Sequence, residues 1–226
     1  MGRPDRPRGF PARDAALRCA GLEFTLPSGP VPVFPLGRVY LFPHQVMPLH
    51  IFEPRYRRMV EDLLDGQGRL VIATVPDGEI ETPGRPAGIL PVGGYGEILR
   101  HQRLPDGRFM IWVLGLCRVA VEEAPSDRPY RRVACRQFLE AEPTATENGP
   151  LCDELRAVAL ARIGQRDEPL ELPADASAAF LTDLLLQLLQ LPSAAMATAF
   201  AEPSIARRAR FALALARRAG PAASDE

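Results

Sequence analysis

His50 and Glu53 lie close together in the chain, with His44 just upstream. A histidine beside a carboxylate is the raw material of a metal site or of an acid–base pair. Local geometry argues against both uses. Side chains alternate along a strand, which separates the histidines, while Glu53 stands at a helix entrance, where a carboxylate suits the positive end of the helix dipole. A structural role is therefore expected for all three. None of Ser28, Ser126, Ser177, Ser193, Ser204 and Ser224 sits in G-x-S-x-G, so no nucleophile elbow is present. Cys19, Cys117, Cys135 and Cys152 are widely spaced and never form C-x-x-C. With His101 the only further histidine, no zinc-ligand spacing arises, and Cys117 and Cys135 read as small core residues in strand-like runs. Gly94-Tyr95-Gly96 lacks a third glycine and leads into a strand, so it makes no phosphate cradle; glycines that let a strand bend or bulge are the simpler reading. No metal and no cofactor is expected.

The sequence contains no lysine: all 27 basic residues are arginine. That excludes chemistry needing an amine, such as a P-loop lysine on phosphates, a Schiff base or a Ser–Lys dyad. A formal net charge of −1 gives no global field favouring nucleic acid or an anionic membrane. The basic cluster Arg207, Arg208, Arg210, Arg217 and Arg218 has little aromatic interleaving, so a solvated helix face is expected rather than a base-stacking platform. The amino-terminal stretch has arginines and prolines but no apolar core of a signal peptide, and the Leu-rich run Phe180–Leu191 is too short to span a bilayer. A cytoplasmic location is expected.

The elements that would position these residues centre on Val31–Leu64. It reads as strand runs broken by prolines, then a strand feeding directly into a helix. Pro54 suits the first helical position, where a missing N–H costs nothing. Tyr56, Met59, Val60, Leu63 and Leu64 share one face, and Arg57/Glu61 and Arg58/Asp62 stand at i, i+4 spacing on the other. Arg69–Val75, Ile89–Arg103, Arg108–Leu114, Leu116–Glu122 and Arg131–Leu139 read as further strands, with a tight turn at Pro105-Asp106-Gly107. Leu22–Leu26 reads as an added edge strand, and residues before about Leu17 as a disordered arm. From Pro150 the pattern is helical, with a stop at Gly164, an almost wholly apolar helix over Ala174–Leu191, a short helix over Ala194–Phe200, and a longer one from Pro203 to about Arg218. The expected organisation is an amino-terminal arm (1–30), a β subdomain (31–142), a helical subdomain (150–219) and a tail (220–226).

Several stretches, in this order, resemble one known family: FPLGRVYLFP, MPLHIFEPRYRRMV, GGYGEILRHQRLPDGRFMIWVLGLCRVAV and PYRRVACRQFLE. They are similar to the amino-terminal, substrate-binding (LON) domain of Lon proteases. The likeness runs from about Val31 to Arg218 and is strongest at LHIFEPRY and RLPDGR. It extends to LTDLLLQLLQLPSAAMATAFAE, where Leu-Pro separates two helices. The resemblance implies an α+β fold: a PUA-like, six-stranded β pseudo-barrel carrying the Pro54–Leu64 helix, followed by a helical subdomain. It also implies recognition of unfolded or tagged polypeptides. Full-length Lon adds an ATPase with a G-x-x-x-x-G-K-[ST] loop and a Ser–Lys peptidase, neither of which a lysine-free chain ending at Glu226 can carry. The expectation is a stand-alone, non-enzymatic binding module, monomeric or homodimeric, working with a protease or chaperone. An RNA-binding role and a cryptic small-ligand or hydrolase role are the alternatives. For peptide contact the expected residues are Phe42, His44, Val46 and Met47, in a loop kept irregular by Pro43 and Pro48.

Overall fold

The computed structural model describes residues 17–19, 22–82, 84–164 and 172–218. The arm expected before Leu17 and the tail 220–226 lie outside the described residues. A short antiparallel pair, β1 (Leu17–Cys19) and β2 (Leu22–Phe24), precedes the main sheet. That sheet contains β3 (Val31–Gly37), β4 (Val46–Ile51), β5 (Arg69–Val75), β6 (Val92–Arg103), β7 (Phe109–Ala124) and β8 (Arg132–Gln137), in the order β4-β7-β6-β5-β3-β8. Strands β3 and β5 run parallel, so their connection needs a crossover, which β4 and the helix α1 (Pro54–Leu64) provide.

Strand β7 decides the shape. The sequence suggested two strands here, but Phe109–Ala124 is continuous. One of its edges pairs with β6. The other is shared, with β4 along the first half and β8 along the second. Because β8 also pairs with β3, the sheet closes on itself beside the second half of β7 and stays open beside the first. The outcome is the expected six-stranded pseudo-barrel.

Both faces of β5 are filled. Leu70 and Ile72 of β5 join Phe34, Ile51, Phe109, Ile111 and Val113 beneath the apolar face of α1, where Tyr56, Met59, Val60 and Leu63 are buried. Their alternates Val71 and Ala73 pack with Val33, Tyr95, Leu116, Val119 and Val133 in a second cluster. This two-sided burial explains why RLVIATV reads as a near-continuous apolar run.

The helical part comprises α2 (Ala145–Ile163), α3 (Ala178–Leu188), α4 (Ser193–Phe200) and α5 (Ile205–Arg218). Helix α2 opens at Ala145, earlier than the expected Pro150, which lies inside it. Thr144 explains the earlier start: its N–H and hydroxyl both donate to the Glu147 carboxylate (3.2 and 2.7 Å), fixing the first turn. Helix α3 is shorter than Ala174–Leu191, because the Ser177 side chain accepts from the Phe180 N–H (3.2 Å) and caps it there.

The two parts are joined by more than a linker. Ala141, just after β8, donates to the Pro203 carbonyl (2.9 Å) and accepts from Ile205 N–H (3.0 Å), so it pairs with the segment leading into α5. The stretch between β3 and β4 is inserted between barrel and helices. Phe42 meets Phe200 edge to face (centroids 5.0 Å), Tyr40 meets the same ring (5.3 Å), and the Tyr40 hydroxyl donates to the Ser193 carbonyl (3.2 Å).

Candidate functional site

Three regions bear on function: the open half of the sheet, the corner at the start of α1, and a buried ionic cluster between barrel and helices.

On β4, Met47, Leu49 and Ile51 face the cluster under α1, so Val46, Pro48 and His50 must face the other way. Their ladder partners on β7 are Leu114, Trp112 and Met110. Next to these, Arg100 and Gln102 of β6 stand opposite Trp112 and Met110. Beside the second half of β7 this face is closed over; beside the first half it is bare. Val46 is 49% exposed and Phe52, just past β4, 60% exposed, while Trp112 and Met110 are half-buried. The Arg100 guanidinium lies over the Trp112 ring, 5.2 Å from its centroid. An exposed apolar surface held on paired strands, with a tryptophan at its centre, is suited to receiving another chain.

Pro48 sits inside β4 without disrupting it. The Gly115 N–H donates to the Gln45 carbonyl (2.8 Å), and alternation from that bond aims the backbone groups of Met47, Leu49 and Ile51 at β7. Pro48 therefore has its missing N–H on the free edge of an edge strand, where no ladder bond is lost.

The four residues expected to contact peptide separate in space. Phe42 is 1% exposed and packs on Phe200, so its assignment as a surface contact is corrected: the helices cover it. Nor is Phe42–Met47 an irregular loop throughout. Phe42–Gln45 forms a turn, closed by Gln45 N–H to the Phe42 carbonyl (3.2 Å), with His44 at φ 65°, and β4 begins at Val46. His44 is exposed but turned toward Phe180 (5.5 Å), away from the bare face. Met47 points to the cluster under α1. Val46 alone lies on the bare face.

At the corner, a cleft of about 280 Å³ is lined by Phe34, Leu49, His50, Phe52, Glu53 and Tyr56. Glu53 is not set up as a base for His50: its carboxylate accepts from Arg55 Nε (3.0 Å), and Arg55 also clamps Glu81 through two bonds (2.6 and 2.8 Å). His50 instead approaches the Phe52 ring (5.9 Å). Among the described residues no group of three His, Cys, Asp or Glu side chains could hold a metal ion. Burial pushes the Cys135 thiol up to about 12, which makes it a poor nucleophile.

The third region was not legible in the sequence. Arg118 of β7 and Arg208 of α5 are both buried, and both donate to Glu140, in the connection leaving β8. Arg118 also donates to the carbonyls of Phe200 and Glu202, and Arg208 to that of Glu202 (3.1 Å). Asp183 of α3 lies 3.1 Å from Arg208 Nε. The expected solvated arginine face therefore needs correction at Arg208. The chain brings two carboxylates against its guanidinium from elements far apart in sequence. Arg207, Arg210 and Arg217 do remain on the surface, but each is engaged, with Glu202, Glu147 and Glu154 respectively. That leaves little of the cluster for RNA phosphates.

Burial pushes the Asp183 carboxyl up to about 6, with Arg208 and Arg118 pulling it back down. A carboxyl whose folded pKa exceeds its ordinary 3.8 keeps a proton that the unfolded chain has released. Its contribution to stability is therefore full below 3.8 and is lost as pH rises through about 6. Across that window Tm should fall more steeply in the wild type than in Asp183→Asn, which stays neutral. Parallel Tm profiles would contradict the shift.

The family model for the ATP-dependent protease La (LON) substrate-binding domain matches residues 30–215. Among curated relatives, Lon protease of Trichlorobacter lovleyi is 30% identical over 118 residues, 52% of this chain and 14% of that protein. Lon protease of Escherichia coli K12 is 31% identical over 117 residues, again 52% and 14%. The chain thus spans only a small part of the curated relatives it matches. The amino-terminal domain of Mycobacterium avium complex Lon protease superposes with a TM-score of 0.64 at 19% identity, over 84% of this chain and 98% of that one. The Lon N-terminal domain protein from Xanthomonas campestris gives 0.58 at 22%, over 82% and 98%. These two likenesses speak for the fold, and with the family match they account for the closed-and-open sheet and the helices that follow it: the chain belongs to the LON substrate-binding domain family.

Proposed function

We propose that this protein is a non-enzymatic polypeptide-binding module that captures apolar segments of unfolded or tagged polypeptides on the bare face of β4 and β7, and presents them to a protease or chaperone. The observation that carries the reading is the placement of Val46, Pro48, Met110 and Trp112 on a solvent-facing sheet surface, with Phe52 at its end. Such residues on one rigid face lose little conformational freedom on binding, which is how a shallow surface gains affinity. Family membership supports the reading, since the family is described by substrate binding. The absence of lysine, and with it of an ATPase P-loop and a Ser–Lys dyad, supports a role without catalysis.

Trp112 is the sole tryptophan, so its emission reports on the face directly. Titration with a reduced, carboxymethylated protein should move that emission to shorter wavelength and saturate. Val46→Asp places a charge on the face without touching a core and should weaken binding roughly tenfold. A folded wild-type protein that neither binds unfolded chains nor changes their aggregation would overturn the proposal.

A further inference from the structure

The bare face carries one cation, Arg100, to which no carboxylate of the described residues is bound. Arg100 is exposed, and its one partner among the described residues is the Trp112 ring, with the guanidinium carbon 5.2 Å from the ring centroid. An exposed guanidinium over a ring keeps N–H donors available, in a planar fork that matches a carboxylate. His50 and Gln102 are the polar residues beside it on the same side, and Glu97, opposite Leu114, faces that side further along β6. The nearest acid along β6, Glu97, is held by Arg69 Nε (3.0 Å). Other arginines of the β6–β7 hairpin have acids of their own: Arg103 bonds Glu61 (3.3 Å) and Arg108 bonds Asp106 (2.6 Å). Arg103 also lies over a ring, that of Phe109 (5.5 Å), so what sets Arg100 apart from them is that no carboxylate of the described residues pairs with it.

We propose that the occupant of this face is an extended polypeptide segment in which an acidic side chain neighbours apolar ones. The carboxylate takes the free edge of Arg100, and the apolar side chains rest on Trp112, Pro48 and Val46. Residues alternate to opposite sides of an extended chain and advance about 3.3 Å each, so side chains two apart reach neighbouring positions on the sheet surface. The inference rests on the polypeptide-binding reading above and narrows its substrate class.

The test uses the full chain and three labelled peptides with the same Leu/Phe framework, carrying Glu, Gln or Lys at the interspersed positions, followed by fluorescence anisotropy. At low salt the Glu peptide should bind roughly fivefold more tightly than the Gln peptide, with the Lys peptide weakest. Raised salt should narrow the gap, because the contact is solvent-exposed. In Arg100→Gln the Glu and Gln peptides should bind alike, with affinity for the Gln peptide retained. Equal binding of Glu and Gln peptides to the wild type, or a preference for Glu that survives in Arg100→Gln, overturns this inference and leaves the broader reading standing. If no peptide binds, the broader reading falls as well.

Discussion

Arg118→Met should be among the most damaging single substitutions in this protein, with a loss of about 3–5 kcal/mol, the range for removing one partner of a buried ion pair. Methionine fills much of the arginine's volume, so the loss is electrostatic rather than a cavity. Glu140 would keep only Arg208, and Asp183 would lose one of two guanidinium groups that offset its burial. The Phe200 carbonyl would lose the Arg118 donor and the Glu202 carbonyl would keep only Arg208, loosening the turn between α4 and α5 from β7. The Phe138 ring, 4.7 Å from the guanidinium, would lose its cation. Urea unfolding measures the loss. For a chain of this size it corresponds to a Tm lower by roughly 6–20 °C. The double variant Arg118→Met/Glu140→Gln should recover part of the stability, because Arg208 alone then faces one carboxylate, Asp183, instead of two. A double variant no more stable than Arg118→Met would show that an excess of carboxylate over guanidinium is not the source of the loss.

Gly115→Ala should be comparably severe for a different reason. A Cβ at Gly115 would fall on the Phe42 carbonyl oxygen, with backbone on both sides and no flexible side chain to yield. The Gly115 N–H donates to Gln45 and its carbonyl accepts from His44 N–H (2.9 Å), so the turn cannot move away without breaking both bonds. Overpacking and two lost hydrogen bonds together amount to about 3 kcal/mol or more. Gly94 faces the same segment from β6, where a Cβ would meet the Leu41 carbonyl. Gly37→Ala is the control: its Cβ would meet open space, and the change should stay within about 0.5 kcal/mol. Similar losses at Gly115 and Gly37 in the same unfolding assay would refute the close-approach argument. The glycines of β6 were legible as a place where a strand bends, and β6 does carry an irregularity between Tyr95 and Gly96. That Gly94 admits the Leu41 carbonyl, as Gly115 admits that of Phe42, was not legible, because the clash is with a segment far away in sequence.

The order of residues alone is enough for the features set by short-range physics. Pro54 starts α1, and the 3.6-residue period of Tyr56, Met59, Val60 and Leu63 names its buried face. Pro105–Gly107 turns β6 into β7, with Gly107 at φ 82°, and α2 stops at Gly164. The order of the family motifs added the barrel and the helices. One further signal was present and unused: in RFMIWVL, Phe109, Ile111 and Val113 take one face while Met110 and Trp112 take the other, so neither face is polar. Periodicity assigns residues to faces, but it does not say which face another element covers. Tertiary structure decided that. It drew Phe42 under Phe200, buried Arg208 against Glu140 and Asp183, closed the second half of β7 with β8 and left the first half bare. Each of these depends on pairs brought together from distant parts of the chain, where burial changes what a residue type means. An arginine that would be solvent-facing becomes a tie between the sheet and the helices, and an aromatic that would be core becomes the candidate contact surface.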